Sequence, residues 1–169
     1  MKSIIVAAGI AAAAISSAQS APYQLPTNSG VRIGVALALD SSLRDSSSTL
    51  FGLGLDLPLN LVLSKDAETI LSFDYLTKSS SGGRSTLIPI LINARFYGKT
   101  PAGMQRSYFF VGAGGALVDV NSANFVLAGR LGVGTEFSQV IYGEASILFS
   151  DASAGARANS LGLFIGYRF

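Results

Sequence analysis

Residues 161–169 read Leu161-Gly162-Leu163-Phe164-Ile165-Gly166-Tyr167-Arg168-Phe169, and their alternation is the clearest indication of the fold. Odd positions carry Leu, Leu, Ile, Tyr and Phe, whereas even positions carry Gly, Phe, Gly and Arg. Because successive side chains of a β-strand point to opposite faces, one face is continuously apolar and ends in two aromatic rings. The stretch therefore predicts a β-strand with one apolar face and one small or charged face.

The same alternation recurs along the chain, in segments close to the about 9–11 residues that a tilted membrane strand needs. Polar connectors alternate with a second set of turns, so four loops are expected on one rim and both chain ends on the other. The pattern predicts an all-β fold, an eight-stranded antiparallel up-and-down transmembrane β-barrel. The predicted strands are Gly30–Asp40, Thr49–Leu57, Ala67–Thr77, Thr86–Tyr97, Ser107–Val118, Phe125–Phe137, Val140–Ser150 and Asn159–Phe169.

Two segments fit this pattern less well. Pro89 lies inside the fourth segment, and proline normally marks an edge strand or a bulge, whereas a closed barrel has no edge. The fifth segment is apolar on both faces, which leaves its orientation open.

Composition agrees with a lipid-facing barrel. Mean hydropathy is +0.47 with only 13% charged residues, yet no stretch after the first 20 residues is long and apolar enough for a membrane helix. A barrel spreads its apolar residues one in two, which accounts for both observations. With 12 basic and 10 acidic residues, the chain is not expected to bind nucleic acid. The absence of Cys excludes disulfides.

The amino-terminal residues predict a secretory signal peptide over residues 1–20. Lys2 supplies the positive region, residues 4–15 form an apolar run, and Ala18 and Ser20 fit a cleavage site before Ala21. Residues 21–169 are then one domain, the barrel itself.

Twelve of the sixteen aromatic residues fall at one or the other end of the predicted strands. Two such belts are typical of membrane barrels, whose aromatic rings favour the two interfaces. The belt near the polar loops comprises Phe51, Phe73, Tyr75, Phe125 and Phe149. The opposite belt comprises Phe96, Tyr97, Tyr108, Phe109, Phe137, Tyr167 and Phe169.

Two stretches carry a family resemblance, Ile88-Pro89-Ile90-Leu91-Ile92-Asn93-Ala94-Arg95-Phe96-Tyr97 and Tyr108-Phe109-Phe110-Val111-Gly112-Ala113-Gly114-Gly115. They resemble the fourth and fifth strands of small eight-stranded bacterial outer-membrane barrels of the OmpA and OmpX type, and the resemblance covers the whole mature chain. It implies a porin-like monomer in the outer membrane of a diderm bacterium, surrounded by lipids. It also implies that Tyr167 and Phe169 form the terminal signal recognised by the barrel assembly machinery.

The inward faces of the predicted strands carry charges of both signs. In a lumen narrow enough for side chains to fill, these charges are expected to form an ion network. The network leaves two interpretations, a gated or narrow pore and a plugged barrel. The predicted members are Arg32, Asp56, Glu68, Arg95, Arg130, Glu136, Glu144 and Arg168, with Asp40 and Asp74 on the same face.

No catalytic, cofactor-binding or metal site is predicted. The chain has no His, which outer-membrane lipid A deacylases, palmitoyltransferases and proteases use for acid–base chemistry. The loop acids Asp45, Asp119 and Asp151 lack the spacing of a metal loop. Period-two glycines in Val111–Ala116 and Gly129–Gly134 open no helix and do not match a phosphate loop, so they are expected to make room inside the barrel.

The leading functional expectation is a non-enzymatic outer-membrane barrel, structural or weakly permeable, with a largely plugged lumen. The alternative is an exported soluble barrel that binds an apolar molecule, as lipocalins do. The two differ in which face is apolar. A soluble barrel would line its cavity with the Leu, Ile and Val face, whereas a membrane barrel turns that face outward.

Overall fold

The computed structural model describes residues 28–59, 61, 67–78, 85–98, 106–120, 122–152 and 157–169. The predicted signal peptide, residues 1–20, lies outside them. The elements are β1 (Gly30–Ala38), α1 (Ser41–Ser46), β2 (Thr49–Pro58), β3 (Ala67–Thr77), β4 (Thr86–Tyr97), β5 (Arg106–Asp119), β6 (Ala123–Glu136), β7 (Ile141–Ser150) and β8 (Ser160–Arg168). Within this part of the chain, no helix has the length and apolarity needed to cross a membrane.

Consecutive strands pair antiparallel, and β1 also pairs with β8, so the sheet closes on itself. The predicted eight-stranded up-and-down barrel is confirmed. Predicted and observed bounds coincide for β3 and β4, and for the other strands they agree within two residues at each end. Local alternation therefore located the strands well.

The strands are staggered around the barrel. Starting at Pro58, successive cross-strand partners are Ile70, Asn93, Gly112, Arg130, Leu148, Ser160 and Ala38. The N–H of Ala38 in turn donates to the carbonyl of Ser48. Following paired residues once around the barrel therefore returns to a residue ten positions before the starting Pro58. With ordinary strand spacing and rise, this stagger corresponds to a tilt of about 40°. A barrel of this size encloses a space that side chains can fill.

Pro89 is accommodated by a local gap in the sheet. The β3–β4 register runs from Ala67↔Phe96 to Phe73↔Ile90 and resumes unchanged at Leu76↔Leu87. Pro89 lies in the gap and still pairs with Ala116 of β5 on its other side. Because proline has no N–H, it cannot donate a hydrogen bond to the sheet. The missing hydrogen bond is confined to the side of β4 that faces β3. The barrel stays closed without a bulge.

The apolar faces of the strands lie outside. Ile33, Leu53, Leu127 and Ile165 are each 64% exposed. The alternate positions point inward, and Arg32 is only 2% exposed. This is the arrangement of a membrane barrel and the reverse of a soluble ligand-binding one.

One part of the aromatic prediction was wrong. Tyr97 and Tyr108 are cross-strand partners that face the interior, with ring centres 5.2 Å apart, and do not join the outer belt. Their hydroxyls donate to Glu68 and Glu144 inside the barrel. Phe51, Phe125, Phe149, Tyr167 and Phe169 do lie on the outer face, between 47% and 64% exposed.

The barrel interior as the candidate functional site

The charged residues of the inner face come together in the half of the barrel nearer the chain ends. Strand alternation turns all of them inward, and each is at most 5% exposed. The buried members are Arg32, Asp56, Glu68, Asp74, Arg95, Arg130, Glu136, Glu144 and Arg168. Together with Arg106, described below, they are called the ion network.

Arg32, on β1, binds carboxylates of β3 and β7 at the end of the network nearest the loops. Its Nη1 donates to Glu144 Oε2 at 2.7 Å, and its Nε and Nη2 donate to Asp74 Oδ1 at 3.0 and 2.8 Å. Arg130 donates to the other oxygen of Asp74. One buried carboxylate thus receives two guanidinium groups, which satisfies both of its oxygens.

Arg95 occupies the centre. Its Nη2 lies 2.7 Å from both Asp56 Oδ2 and Glu144 Oε1, and its Nη1 lies 3.7 Å from Glu68 Oε2. Two tyrosine rings flank the guanidinium, Tyr108 at 5.2 Å and Tyr142 at 5.3 Å. Their hydroxyls donate to Glu144 and Asp56, the carboxylates that Arg95 also binds. Such shared contacts hold Arg95 rigidly.

The network continues to the rim where the chain ends lie. Arg168 and Arg106 both donate to Glu136. The Tyr97 hydroxyl donates to Glu68 at 2.6 Å and accepts from Arg168 at 3.2 Å, which connects this group to Arg95. Five guanidinium groups and five carboxylates therefore form one connected network whose formal charges balance.

Sequence reasoning missed several members of this site. Arg106 precedes the predicted fifth strand by one residue, and extending the strand would have placed it inside, two positions before Tyr108. Tyr108 and Tyr142 were not recognised as partners of the carboxylates, although Tyr142 lies two positions before the inward Glu144 and alternation places both on the same face.

One residue predicted to face inward lies beyond the end of its strand. Asp40 follows β1, which ends at Ala38, and it begins the turn into α1 by accepting the N–H of Arg44 at its carbonyl. The chain leaves the sheet there, so the period-two rule no longer sets the direction of the side chain.

Glycines on the inner face leave room for rings from the neighbouring strand. A Cβ added at Gly166 would lie 2.1 Å from the Tyr142 ring, and one at Gly134 would lie 2.3 Å from the Tyr108 ring. Glycine is the residue that allows this close approach. The two rings that flank Arg95 therefore depend on glycines of adjacent strands.

The loop-side half of the interior is mostly apolar, with Ser160 buried among the apolar side chains, and the sequence did not predict this. Leu43 of α1, 0% exposed, inserts into it from the mouth of the barrel. The buried residues there, called the apolar cluster, are Ala36, Ala38, Leu43, Leu50, Leu76, Leu87, Leu91, Ala116, Val118, Val126, Ala128, Leu148, Ala158 and Phe164. The interior thus has an ionic half and an apolar half.

The remaining residues singled out from the sequence lie outside the lumen. Tyr167 and Phe169 are on the outer surface, and the N–H of Phe169 donates to the carbonyl of Ser29 at 3.0 Å. Asp45 lies in α1 and Asp119 ends β5. Asp151 Oδ1 accepts the N–H of Leu127 at 2.9 Å, a structural contact at the loop rim.

No model of a known protein family matches the chain, and no curated protein sequence does so. Solved structures do resemble it. The N-terminal β-barrel domain of Pseudomonas aeruginosa OprF has 16% identity and a TM-score of 0.52, covering 86% of this chain and all of that domain. The outer membrane enzyme PagL has 12% identity and a TM-score of 0.56, covering 84% of this chain and 99% of its own. The chain therefore has the fold of the small eight-stranded outer-membrane β-barrels.

Proposed function

We propose that this protein is a non-enzymatic, structural β-barrel of the outer membrane of a diderm bacterium, with a lumen closed to solutes. The observation that carries the proposal is the contrast between the two faces of the sheet. The outer face is apolar, while the inner face is filled by the ion network and the apolar cluster.

The outer face favours a lipid environment. Large apolar side chains such as Ile33, Leu53 and Ile165 would stand in water if the protein were soluble. Soluble monomers rarely expose apolar patches larger than a few hundred Å². Outer-membrane lipids are therefore the proposed surroundings. A single closed barrel satisfies all of its own backbone hydrogen bonds, so we propose a monomer.

The packing of the interior favours a closed lumen. At the chain-end rim, the gap bordered by Asn28, Glu68, Tyr142 and Arg168 has no room for a water-sized sphere. The charges above it are paired with one another, and the apolar cluster lies beyond them. A porin-like aqueous channel would require a wider barrel.

A structural role fits the chemistry better than an enzymatic one. PagL is an enzyme, but a shared fold does not carry an activity. The sequence has no His to serve as an acid–base group. Ser72, which lies beside Asp56, donates to that carboxylate at 2.7 Å and accepts from Asn93 at 2.9 Å. It is 2% exposed, so no substrate reaches it.

The carboxy-terminal strand is the proposed contact with the barrel assembly machinery. Tyr167 and Phe169 project outward, 51% and 64% exposed, at the rim where the chain ends lie. In this position both rings are open to contact by an assembly protein on the membrane side before the barrel closes.

Four measurements test the proposal: cell fractionation, gel mobility, bilayer conductance and a fatty-acid release assay. Fractionation of expressing cells should place the protein in the outer membrane, and unboiled samples should migrate differently from boiled ones on a detergent gel. Refolded protein in a planar lipid bilayer should show no steady conductance. A freely soluble periplasmic protein would contradict the membrane assignment and favour a lipocalin-like binder. Steady ion conduction would contradict the closed lumen, and release of fatty acid from labelled lipopolysaccharide would contradict the non-enzymatic role.

A further inference from the structure

We propose that α1 is a removable stopper, and that the lumen is closed by two separate barriers in series. Leu43 completes an apolar barrier on the loop side, and the ion network forms a second barrier below it. This inference rests on the proposed closed membrane barrel and adds which element closes its loop-side half.

Leu43 anchors α1 to the barrel by packing into its interior. Its neighbours Ser41, Arg44 and Asp45 are exposed, whereas Leu43 is fully buried. The side chain packs within the apolar cluster, whose members come from every strand of the barrel. The helix therefore presents one apolar residue to the lumen and polar ones to the outside.

The helix has little stability of its own. It is six residues long, whereas isolated helices shorter than about 12–15 residues are marginal in water. Its turn is closed by the N–H of Arg44 donating to Asp40 and the N–H of Ser47 donating to Leu43. Withdrawal of Leu43 would remove the packing that supports these bonds. We expect insertion of Leu43 and helicity of α1 to occur together.

Each half of the interior blocks ions by a different physical effect. The apolar cluster offers an ion no polar ligand to replace its hydration shell, so this layer excludes water and ions. The ion network blocks the other half because its charges bind one another at distances near 2.7 Å. Either layer closes the lumen alone, so loss of one does not open the barrel.

The first test is conductance of refolded full-chain variants in planar bilayers, with folding verified by gel mobility. Leu43→Asp breaks the apolar barrier, and Arg95→Ala/Glu144→Ala removes a matched ion pair from the second. We expect each of these variants to remain closed and the triple variant to conduct. The control is the Arg95→Ala/Glu144→Ala variant that carries Ser48→Asp in place of Leu43→Asp. It should stay closed, because Ser48 is exposed in the same connector.

Other outcomes overturn the inference. Conduction by Leu43→Asp alone would show that the ion network is no barrier, and conduction by the pair variant alone would show that the apolar cluster is none. A folded but closed triple variant would also contradict it. Steady conduction by the wild type would instead contradict the proposed function itself, so the two failures are distinguishable.

A second measurement does not depend on the triple variant. The chain contains no Cys, so a single introduced thiol can be labelled selectively. With a membrane-impermeant maleimide, Leu43→Cys should react about tenfold or more slowly than Ser48→Cys, because labelling requires local opening. Adding Ser47→Pro, which removes the N–H bonded to Leu43, should accelerate labelling of Leu43→Cys. Equal rates at both positions would show that α1 does not seal the mouth.

Discussion

The guanidinium of Arg32 lies 5.3 Å from the centre of the Phe164 ring, at the boundary between the two halves of the barrel interior. Arg32 belongs to the ion network, and Phe164 belongs to the apolar cluster. Gly34, the cross-strand partner of Phe164, makes the contact possible, because a Cβ there would lie 2.8 Å from the ring. Gly162 and Gly52 also leave room for this ring, since a Cβ there would lie 2.8 and 3.1 Å from it, so the boundary depends on several glycines.

The loss of stability on removing a buried arginine should increase with the number of carboxylates that it binds. Arg95 contacts three carboxylates and is the guanidinium paired with Glu68, so Arg95→Ala leaves uncompensated buried charge there and should cost about 3–5 kcal/mol. Arg130→Ala should cost less, because Asp74 keeps Arg32. The exposed Arg44→Ala should change stability by no more than about 0.5 kcal/mol.

The free energy of unfolding is measured by urea titration, following the folded band on unboiled detergent gels, since the chain has no Trp. Equal small losses for all three arginine variants would mean that water, and not paired carboxylates, surrounds these side chains.

Inner glycines that receive a ring should not tolerate a methyl group. Gly166→Ala should destabilise the barrel by about 1–3 kcal/mol, because the added Cβ overlaps the Tyr142 ring. Gly98→Ala is the control, since among the described residues its Cβ would meet only the Ser107 carbonyl, at 3.5 Å. That change should be neutral or stabilise by up to about 1 kcal/mol. The same urea titration compares them, and similar values for both would refute close ring packing.

Phe169 should affect assembly more than stability. Phe169→Ala removes a ring that is 64% exposed, and Phe125→Ala removes one that is 60% exposed, so both should lose similar, small amounts of stability in refolded barrels. In cells, only Phe169→Ala should lower the amount of folded protein in the outer membrane, as quantified by immunoblot. If both variants fall equally in both assays, ordinary packing at the interface explains the residue.

Export should remove the first 20 residues. The positive Lys2, the apolar run and the small pair Ala18 and Ser20 predict a mature protein that begins at or near Ala21. Intact-mass spectrometry of protein isolated from membranes measures this directly. Detection of the chain from Met1 in that fraction would show that the segment is retained.

Strand positions and inward charges followed from the sequence alone, because both depend on local alternation. The period of two assigns each residue of a strand to a face without knowledge of its neighbours. For that reason Arg32, Arg95 and Arg130 were placed inside, and the bounds of β3 and β4 were predicted to the residue. The same rule does not apply where the chain leaves the strand, as at Asp40.

The partners of these residues were decided by the tertiary structure. Arg32 binds Asp74, 42 positions away, and Glu144, 112 positions away, because the ten-residue stagger brings those levels of the strands together. The insertion of Leu43 and the carboxylates that Tyr97 and Tyr108 bind are set by the space across the lumen, which no local pattern encodes. Alternation determines which side chains face inward, and closure of the barrel determines which of them meet.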